Sequence, residues 1–136
     1  MNVLAITKCG AGCPNIWLEA GIHAREWISP AVAAFIVREL VEDYSEHPSY
    51  IDNINWYYLP SANPDGYAYT MSDDRYWRKT RAPNSGSSCK GVDPNRNWGF
   101  HWAGRDTENI SNADDDIILP RGRSQFRPLL RGLLRS

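Results

Sequence analysis

Long hydrophobic runs are missing from this sequence of 136 residues. No apolar stretch approaches the roughly 20 residues that a membrane-spanning helix needs, so we expect no membrane as a partner. The first residues, Met-Asn-Val-Leu-Ala-Ile-Thr, have neither the basic start nor the long apolar segment of a secretory signal peptide. Taken literally, the sequence predicts a chain that stays in the cytosol.

An excess of charge of one sign is also missing. The formal net charge is -1, which gives no case for a nucleic acid or an acidic membrane as a partner. Cysteine is scarce, and Cys9, Cys13 and Cys89 make an odd number. In a secreted protein an odd number implies a partner cysteine elsewhere or a free thiol, and the sequence leaves the pairing open.

What is present is an ordinary globular composition. Hydrophobic residues make up 42% and charged residues 23%, which excludes a disordered chain. A chain near this size buries roughly two-thirds of the surface that its unfolded form exposes, so one modest domain with a core is possible. The sequence does not indicate an oligomeric state.

The order of the predicted elements is typical of an α/β domain. Residues 3–7, 16–20 and 55–59 have the composition of strands, and residues 60–66 that of a turn. Between the second and third strands a helix is predicted to open at Ser29-Pro30, with Ser29 as its N-cap, and to end near Tyr44. Apolar residues recur along it at helical spacing. We therefore predict helices packed on a mixed sheet.

The last residues differ in character from the rest. Residues 114–116 are an acidic run, and residues 120–136 contain five arginines and no acid, with glycine and proline that break any long helix. A disordered Arg-rich tail over 114–136 is favoured over a basic nucleic-acid arm, so no nucleic acid is expected as a partner. The predicted domain is then residues 1–113.

His23 and Glu26 are the sharpest local feature, placed just after the second predicted strand. Imidazole nitrogen and carboxylate oxygen are both good zinc ligands. In a loop or first helical turn, side chains three positions apart can point to one side and hold one ion. A surface ion pair is the simpler interpretation of a lone His-x-x-Glu. The His-Glu-x-x-His helix that is typical of many zinc proteases is absent.

Two further segments carry groups suited to a substrate. Residues 93–98 read Asp-Pro-Asn-Arg-Asn-Trp, where an arginine fork and asparagine amides could bind a carboxylate, although such a segment is usually a polar turn. Residues 75–81 read Arg-Tyr-Trp-Arg-Lys-Thr-Arg, with cations beside aromatic rings. An arginine stacked on tryptophan at a solvated surface would explain that pattern equally well.

Taken together, these segments resemble the carboxypeptidase A/B family of zinc metallocarboxypeptidases. The resemblance lies in residues 21–28 (Gly-Ile-His-Ala-Arg-Glu-Trp-Ile), 63–67 (Asn-Pro-Asp-Gly-Tyr), 77–81 (Trp-Arg-Lys-Thr-Arg) and 92–98 (Val-Asp-Pro-Asn-Arg-Asn-Trp). Four blocks in matching order and at similar spacing make a chance resemblance very improbable. It extends from about residue 3 to about residue 103, roughly the first half of the family's catalytic domain.

The resemblance implies a zinc-dependent exopeptidase that releases C-terminal amino acids from peptides and proteins. His23 and Glu26 would be two of three protein ligands of the zinc. Asp93 would be the carboxylate that orients the ligand histidine, since a hydrogen-bonded imidazole is held more firmly.

The resemblance also implies roles toward the substrate. Asn95 and Arg96 would bind the C-terminal carboxylate of the substrate, and Arg78 would polarise the scissile carbonyl and stabilise its oxyanion. Arg25 and Arg75 would be accessory cations along the substrate path. Cys89 would be one half of a family disulfide.

The sequence departs from the family pattern after these blocks. The third histidine ligand, a tyrosine and the catalytic glutamate are not recognisable, because His101 follows the last block too soon and His47 follows the first helix. We therefore expect residues 1–113 to be a partial peptidase domain that is inactive alone, from an extracellular parent protein. A non-catalytic module that binds carboxylates or peptides is the alternative.

Overall fold

The computed structural model describes residues 2–84 and 88–98. The chain divides into two compact units, Met1–Trp77 and Arg78–Ser136, and each is described by itself. The predicted tail over residues 114–136, like His101, lies outside the described residues.

A mixed sheet of three strands organises the first unit. The strands are β1 (Leu4–Ile6), β2 (Asn15–Glu19) and β3 (Asn55–Leu59), in the spatial order β1-β3-β2. β3 is antiparallel to β1 and parallel to β2. A parallel pair needs a crossover connection, which the segment between β2 and β3 supplies. The predicted strands are confirmed, with ends displaced by no more than one residue.

Helix α1 (Ile28–Glu42) lies in that crossover, close to the predicted helix. The predicted N-cap is wrong. Trp27 is the N-cap residue and makes no capping hydrogen bond with its side chain. The Ser29 hydroxyl instead accepts a hydrogen bond of 3.1 Å from the Gly21 amide. The loop after β2 therefore uses the hydroxyl group that a helix cap would have used.

The apolar residues of α1 are less buried than their spacing suggests. Ala33 is the buried residue of this helix, whereas Val32, Phe35 and Val41 keep 48%, 54% and 56% of their surfaces exposed. One side of α1 is therefore an apolar surface in the described part of the chain.

Two helices were not predicted. α2 (Ser49–Asp52) is a single turn before β3, and α3 (Pro64–Ser72) begins inside the predicted turn over residues 60–66. Asn63 caps α3, because its side-chain oxygen accepts a 3.1 Å hydrogen bond from the Gly66 amide. Asparagine followed by proline is a helix-start signal, so this helix could have been found.

Several of the buried apolar residues of the first unit lie where β2 and β3 end. Ala20, Leu59 and Ala62 are 2%, 1% and 6% exposed. Cys9 and Cys13 form a disulfide in the turn between β1 and β2. Among the helices within residues 2–84 and 88–98, none is long and apolar enough to cross a membrane.

The described part of the second unit is a paired segment followed by a helical turn. The Thr80 amide donates to the Val92 carbonyl at 3.0 Å and the Gly91 amide to the Ala82 carbonyl at 2.8 Å. A single turn of 3₁₀-helix, Pro94–Arg96, follows. Asp93 caps this turn through a 2.8 Å hydrogen bond from the Asn95 amide.

Candidate metal and substrate site

The loop that follows β2 is fixed by the chain that follows β3. The Ala20 amide donates to the Leu59 carbonyl, the Ala62 amide to the Ala20 carbonyl and the Asn63 amide to the Gly21 carbonyl, over 2.8–3.1 Å. Gly21 has φ +67°, and a side chain there would begin 3.3 Å from the Ser61 hydroxyl oxygen. Both the conformation and the limited space favour glycine. The backbone at Gly21 is therefore fixed in position, and the segment that carries His23 and Glu26 begins from it.

His23 and Glu26 face each other in this loop. The His23 Nδ1 and the Glu26 Oε1 lie 2.9 Å apart. The Glu26 amide donates to the His23 carbonyl at 3.2 Å, so the backbone turns between them and brings both side chains to one side. The His23 ring is nearly buried, with 8% of its side chain exposed, while the Glu26 side chain is 45% exposed.

The pair fits part of a zinc site. Zinc bonds of about 2.0–2.2 Å in tetrahedral geometry place two ligand atoms roughly 3.3–3.6 Å apart, so the two atoms, now 2.9 Å apart, would have to separate by roughly half an ångström. Nitrogen and carboxylate oxygen are also a suitable donor set. Among residues 2–84 and 88–98, no third histidine, cysteine, aspartate or glutamate joins them in a cluster that could hold a metal.

Arg25 and Arg75, the predicted accessory cations, lie together in the first unit. Both are exposed, and the Arg75 Nη1 donates a 2.9 Å hydrogen bond to the Arg25 carbonyl. The Arg75 guanidinium carbon lies 3.8 Å from the centre of the Trp27 ring. A positive group is therefore held beside the segment that carries Glu26.

Arg78 and Asp93 form an ion pair in the second unit. The Arg78 Nε donates to the Asp93 Oδ2 at 3.0 Å, and the other carboxylate oxygen of Asp93 accepts the capping hydrogen bond. The Asp93 side chain is 2% exposed and that of Arg78 is 26% exposed. This partnership was not predicted. The predicted role of Asp93 toward His23 stays a prediction.

Asn95 and Arg96 lie in the 3₁₀-turn and are both exposed, whereas Asp93 and Pro94 before them are buried. The Arg96 Nη1 donates to the Asn95 carbonyl at 3.3 Å. The turn is therefore anchored by buried residues at its start and exposes the polar side chains of Asn95 and Arg96 to solvent. Their predicted binding of a substrate carboxylate stays a prediction.

Two residues that organise the surroundings of His23 and Arg75 in the first unit were not predicted. Asn63 caps α3, and its side-chain amide also lies 3.4 Å from the Ile22 carbonyl, next to His23. Trp27 supplies the ring on which Arg75 rests. The adjacent Pro64 could have identified Asn63 as a cap, whereas nothing local identifies Trp27 as a partner of Arg75.

Comparison with known proteins assigns a family. The profile of the family described as "Zinc carboxypeptidase" matches residues 1–123. Carboxypeptidase B of Astacus astacus is 52% identical over 104 residues, covering 75% of this chain and 34% of that protein. Carboxypeptidase A4 of Mus musculus is 54% identical over 106 residues, covering 76% of this chain and 25% of that protein.

Solved structures show the same relationship. The crystal structure of carboxypeptidase A from Helicoverpa armigera is 35% identical with a TM-score of 0.78, over 97% of this chain and 33% of the other. Bovine thrombin-activatable fibrinolysis inhibitor, in complex with tick carboxypeptidase inhibitor, gives a TM-score of 0.77 at 32% identity, over 98% of this chain and 44% of the other. The chain spans about a third or less of the two curated relatives. It belongs to the zinc carboxypeptidase family and has its α/β fold.

Proposed function

We propose that this chain contributes to a zinc-dependent exopeptidase that releases C-terminal amino acids from peptides and proteins. The observation that carries the proposal is the facing pair of His23 Nδ1 and Glu26 Oε1, 2.9 Å apart, in a chain of this family. The two atoms would be two of the ligands of the zinc. When bound, the metal would supply a Lewis acid for the scissile carbonyl and an activated water.

The first unit's residues would position the metal and the approaching peptide. The His23 ring is buried and the exposed Glu26 carboxylate faces it, so both donors would be oriented before a metal arrives. Arg25 and Arg75 would attract and line the path of an anionic substrate, because both cations are exposed beside the Glu26 segment.

The second unit's residues would bind the reacting end of the substrate. Asn95 and Arg96 offer amide and guanidinium donors that suit a terminal carboxylate, which would select chain ends over internal bonds. The Arg78 guanidinium would donate to the carbonyl oxygen as charge develops on it. The Asp93 carboxylate accepts from Arg78 and from the Asn95 amide. Its role in orienting the ligand histidine, which the family resemblance implies, stays a prediction.

We further propose that the 136-residue chain binds zinc weakly by itself and turns over little peptide, since catalytic zinc sites usually have three protein ligands. A missing general base would separately reduce the rate by about 10²- to 10⁴-fold. The parent protein would be extracellular, which the Cys9–Cys13 disulfide supports because such bonds persist in oxidising compartments.

Zinc titration of the purified chain tests the metal assignment. We expect one weak site by calorimetry, with the affinity falling at least tenfold in His23→Ala and in Glu26→Gln. His47→Ala is the matched control, because His47 lies outside this loop and should leave the affinity unchanged. Equal zinc affinity in all four proteins would rule out the His23–Glu26 site.

A peptide panel tests the activity. Release of C-terminal residues should be slight for the chain alone. One tightly bound zinc with clear turnover, abolished by His23→Ala, would show that another residue of the chain completes the site and that the weak-activity proposal is wrong.

The second candidate function is a non-catalytic module that binds peptide carboxylates. The exposure of Asn95 and Arg96 on a capped turn favours it, because that arrangement needs no metal. The two functions differ in their zinc dependence. A module of this kind would bind a peptide with a free C-terminus, and not its C-terminal amide, with equal affinity in the presence of zinc or of a chelator.

A further inference from the structure

Trp27 is fixed from α3 at the point where α1 begins. Its indole Nε1 donates a 2.9 Å hydrogen bond to the Thr70 hydroxyl, which in turn donates to the Tyr67 carbonyl at 2.6 Å. The Trp27 and Tyr67 rings meet edge to face, with centroids 6.0 Å apart. Thr70 is buried. Because two groups of α3, the Thr70 hydroxyl and the Tyr67 ring, contact the indole, its face is a positioned platform directly after Glu26.

Arg75 uses that platform. Its guanidinium carbon lies 3.8 Å from the centre of the Trp27 ring, against 5.9 Å from the centre of the exposed Tyr76 ring. Its Nη1 donates to the Arg25 carbonyl at 2.9 Å. A long exposed arginine samples many rotamers, so it is held in one place only when contacts offset the lost entropy. The stack and the hydrogen bond are the two contacts that do so.

We propose that Trp27 is a positioning residue, which holds the Arg75 guanidinium beside the Arg25–Glu26 segment so that its charge is in place when an anionic peptide arrives. The proposal rests on the proposed function of Arg25 and Arg75 as cations along the substrate path. Trp27 itself does not contact the peptide. It acts by reducing the entropy that Arg75 loses on binding.

The contact is tested by NMR of the 136-residue chain. A guanidinium over an aromatic face experiences the ring current, so the Arg75 side-chain protons should be shifted upfield. Trp27→Leu should abolish this shift, Trp27→Phe should retain part of it, and Tyr76→Leu should leave it unchanged. An Arg75 shift that is the same in the wild-type chain and in Trp27→Leu would overturn the proposal.

The consequence is tested with two peptides that share a free C-terminus and differ by one glutamate-to-glutamine replacement near it. Trp27→Leu should weaken binding of the acidic peptide about two- to fivefold, as expected for a cation–π contact at an exposed site. Binding of the neutral peptide should change less. Trp27→Phe should restore part of the loss, and it keeps a test available if the leucine variant does not fold.

A double variant separates positioning from a structural effect. In an Arg75→Gln background, Trp27→Phe should no longer alter the preference for the acidic peptide. Suppose that the wild-type chain binds both peptides and that the Trp27 variants bind each peptide with the wild-type affinity. The positioning role of Trp27 is then wrong, while the proposed function stands. If the wild-type chain binds neither peptide, the proposed function fails and this proposal fails with it, whatever the ring-current shift shows.

Discussion

Asp93 joins two contacts in one buried carboxylate. One oxygen caps the 3₁₀-turn that presents Asn95, and the other accepts from Arg78 at 3.0 Å. Asp93→Asn should keep the cap, since asparagine also caps well, and weaken the ion pair. We expect it to lower the free energy of unfolding by about 2 kcal/mol, less than for a fully buried pair because Arg78 is partly exposed.

Urea unfolding checks this, with Asp93→Ala expected to cost about 1 kcal/mol more through the lost cap. Adding Arg78→Met to Asp93→Asn should cost less than the sum of the two single changes, because the pair is then removed as a unit. Full additivity would show that the two side chains do not interact in solution.

Gly91 occupies a position that no larger residue can share. Its φ is +78°, and an added Cβ would lie 1.9 Å from the Thr80 carbonyl oxygen. Gly91→Ala should therefore destabilise the second unit by at least about 2 kcal/mol, from backbone strain and displacement of the paired segment. Gly10→Ala is the matched control, since Gly10 has φ +81° but no atom within 4 Å of a new Cβ. Equal losses of unfolding free energy in the two variants would contradict the steric part of this argument.

Single residues of the site were predictable to different degrees. His23 and Glu26 were identified as a pair because their spacing and chemistry are local. The partnership of Arg78 with Asp93 was not, since 15 residues and a paired segment separate them. Trp27 and Arg75 are 48 positions apart in sequence, and only the packing of α3 against the start of α1 brings them into contact. Sequence patterns therefore identify the side chains that could bind a ligand more readily than the distant residues that hold those side chains in place.

At the scale of elements, a surface cluster joins the turn after β1 to α2 and the end of α1. Lys8 pairs with Asp52 at 2.7 Å, and the Tyr44 hydroxyl contacts Lys8 and donates to Asp52 at 2.9 Å. The hydrogen bond from Lys8, followed by that from Tyr44, lowers the pKa of Asp52 below its ordinary 3.8. The hydrogen bond from Lys8 to Asp52, followed by that from Lys8 to Tyr44, raises the pKa of Lys8 above its ordinary 10.5.

These shifts predict a pH dependence of stability with a defined sign. Asp52 binds its proton less tightly in the folded chain, so its contribution is present above about pH 4 and is lost as the pH falls through the lowered pKa. The contribution of Lys8 is present below pH 10.5 and is lost as the pH rises through the raised pKa. Asp52→Asn should flatten the decline of unfolding free energy as the pH falls below about 4.

Thermal unfolding across that range, at low and high salt, measures the effect. Because the cluster is exposed, the difference between wild type and Asp52→Asn should shrink in high salt. Asp65→Asn, at the exposed start of α3, is the control. If stability declined with falling pH in Asp52→Asn as it does in the wild type at low salt, the cluster would have no part in the acid sensitivity of the fold.

Helices and strands were predicted correctly where the local sequence pattern favours one type of secondary structure. Residues 55–59 were identified correctly as β3 because an aromatic run bounded by turn residues has few alternatives. α1 was found from its periodicity, while its cap was misassigned because the Ser29 hydroxyl bonds the loop after β2. α3 was missed because Asn-Pro-Asp-Gly was interpreted as a turn, although Asn63 followed by Pro64 also marks a helix start, as the capping bond from the Gly66 amide shows.

At the scale of the whole molecule, the apolar side of α1 should govern association. Phe35 and Ile36 line a groove of about 420 Å³ with Tyr50 and Trp56. Two acidic residues, Glu39 of α1 and the C-cap residue Asp43, also line it. β1 and β2 are the outer strands of the described sheet, and outer strands can pair with other chains. We expect the chain to self-associate at micromolar concentrations, more so in high salt because salt screens the acidic residues.

Sedimentation velocity tests this expectation. Replacing Phe35 and Val41 together by serine should shift the chain toward monomer, since both side chains are more than half exposed and their loss should cost little stability. Met71→Ser, on the exposed side of α3, is the control. Unchanged association in the double variant would place the contact elsewhere.

The hydrogen bonds that hold the loop after β2 also set an order of events during synthesis. The Asn63 side chain and the Ile22 carbonyl that it contacts are 41 residues apart, across the whole crossover. A nascent chain that has exposed His23 and Glu26 therefore still lacks the backbone partners, from Leu59 to Asn63, that fix their loop. At translation speeds of about 5–20 residues per second, His23 and Glu26 spend seconds outside the ribosome before their loop can be completed. During that interval a metal ion would meet two mobile side chains, so selective loading has to follow closure of the crossover.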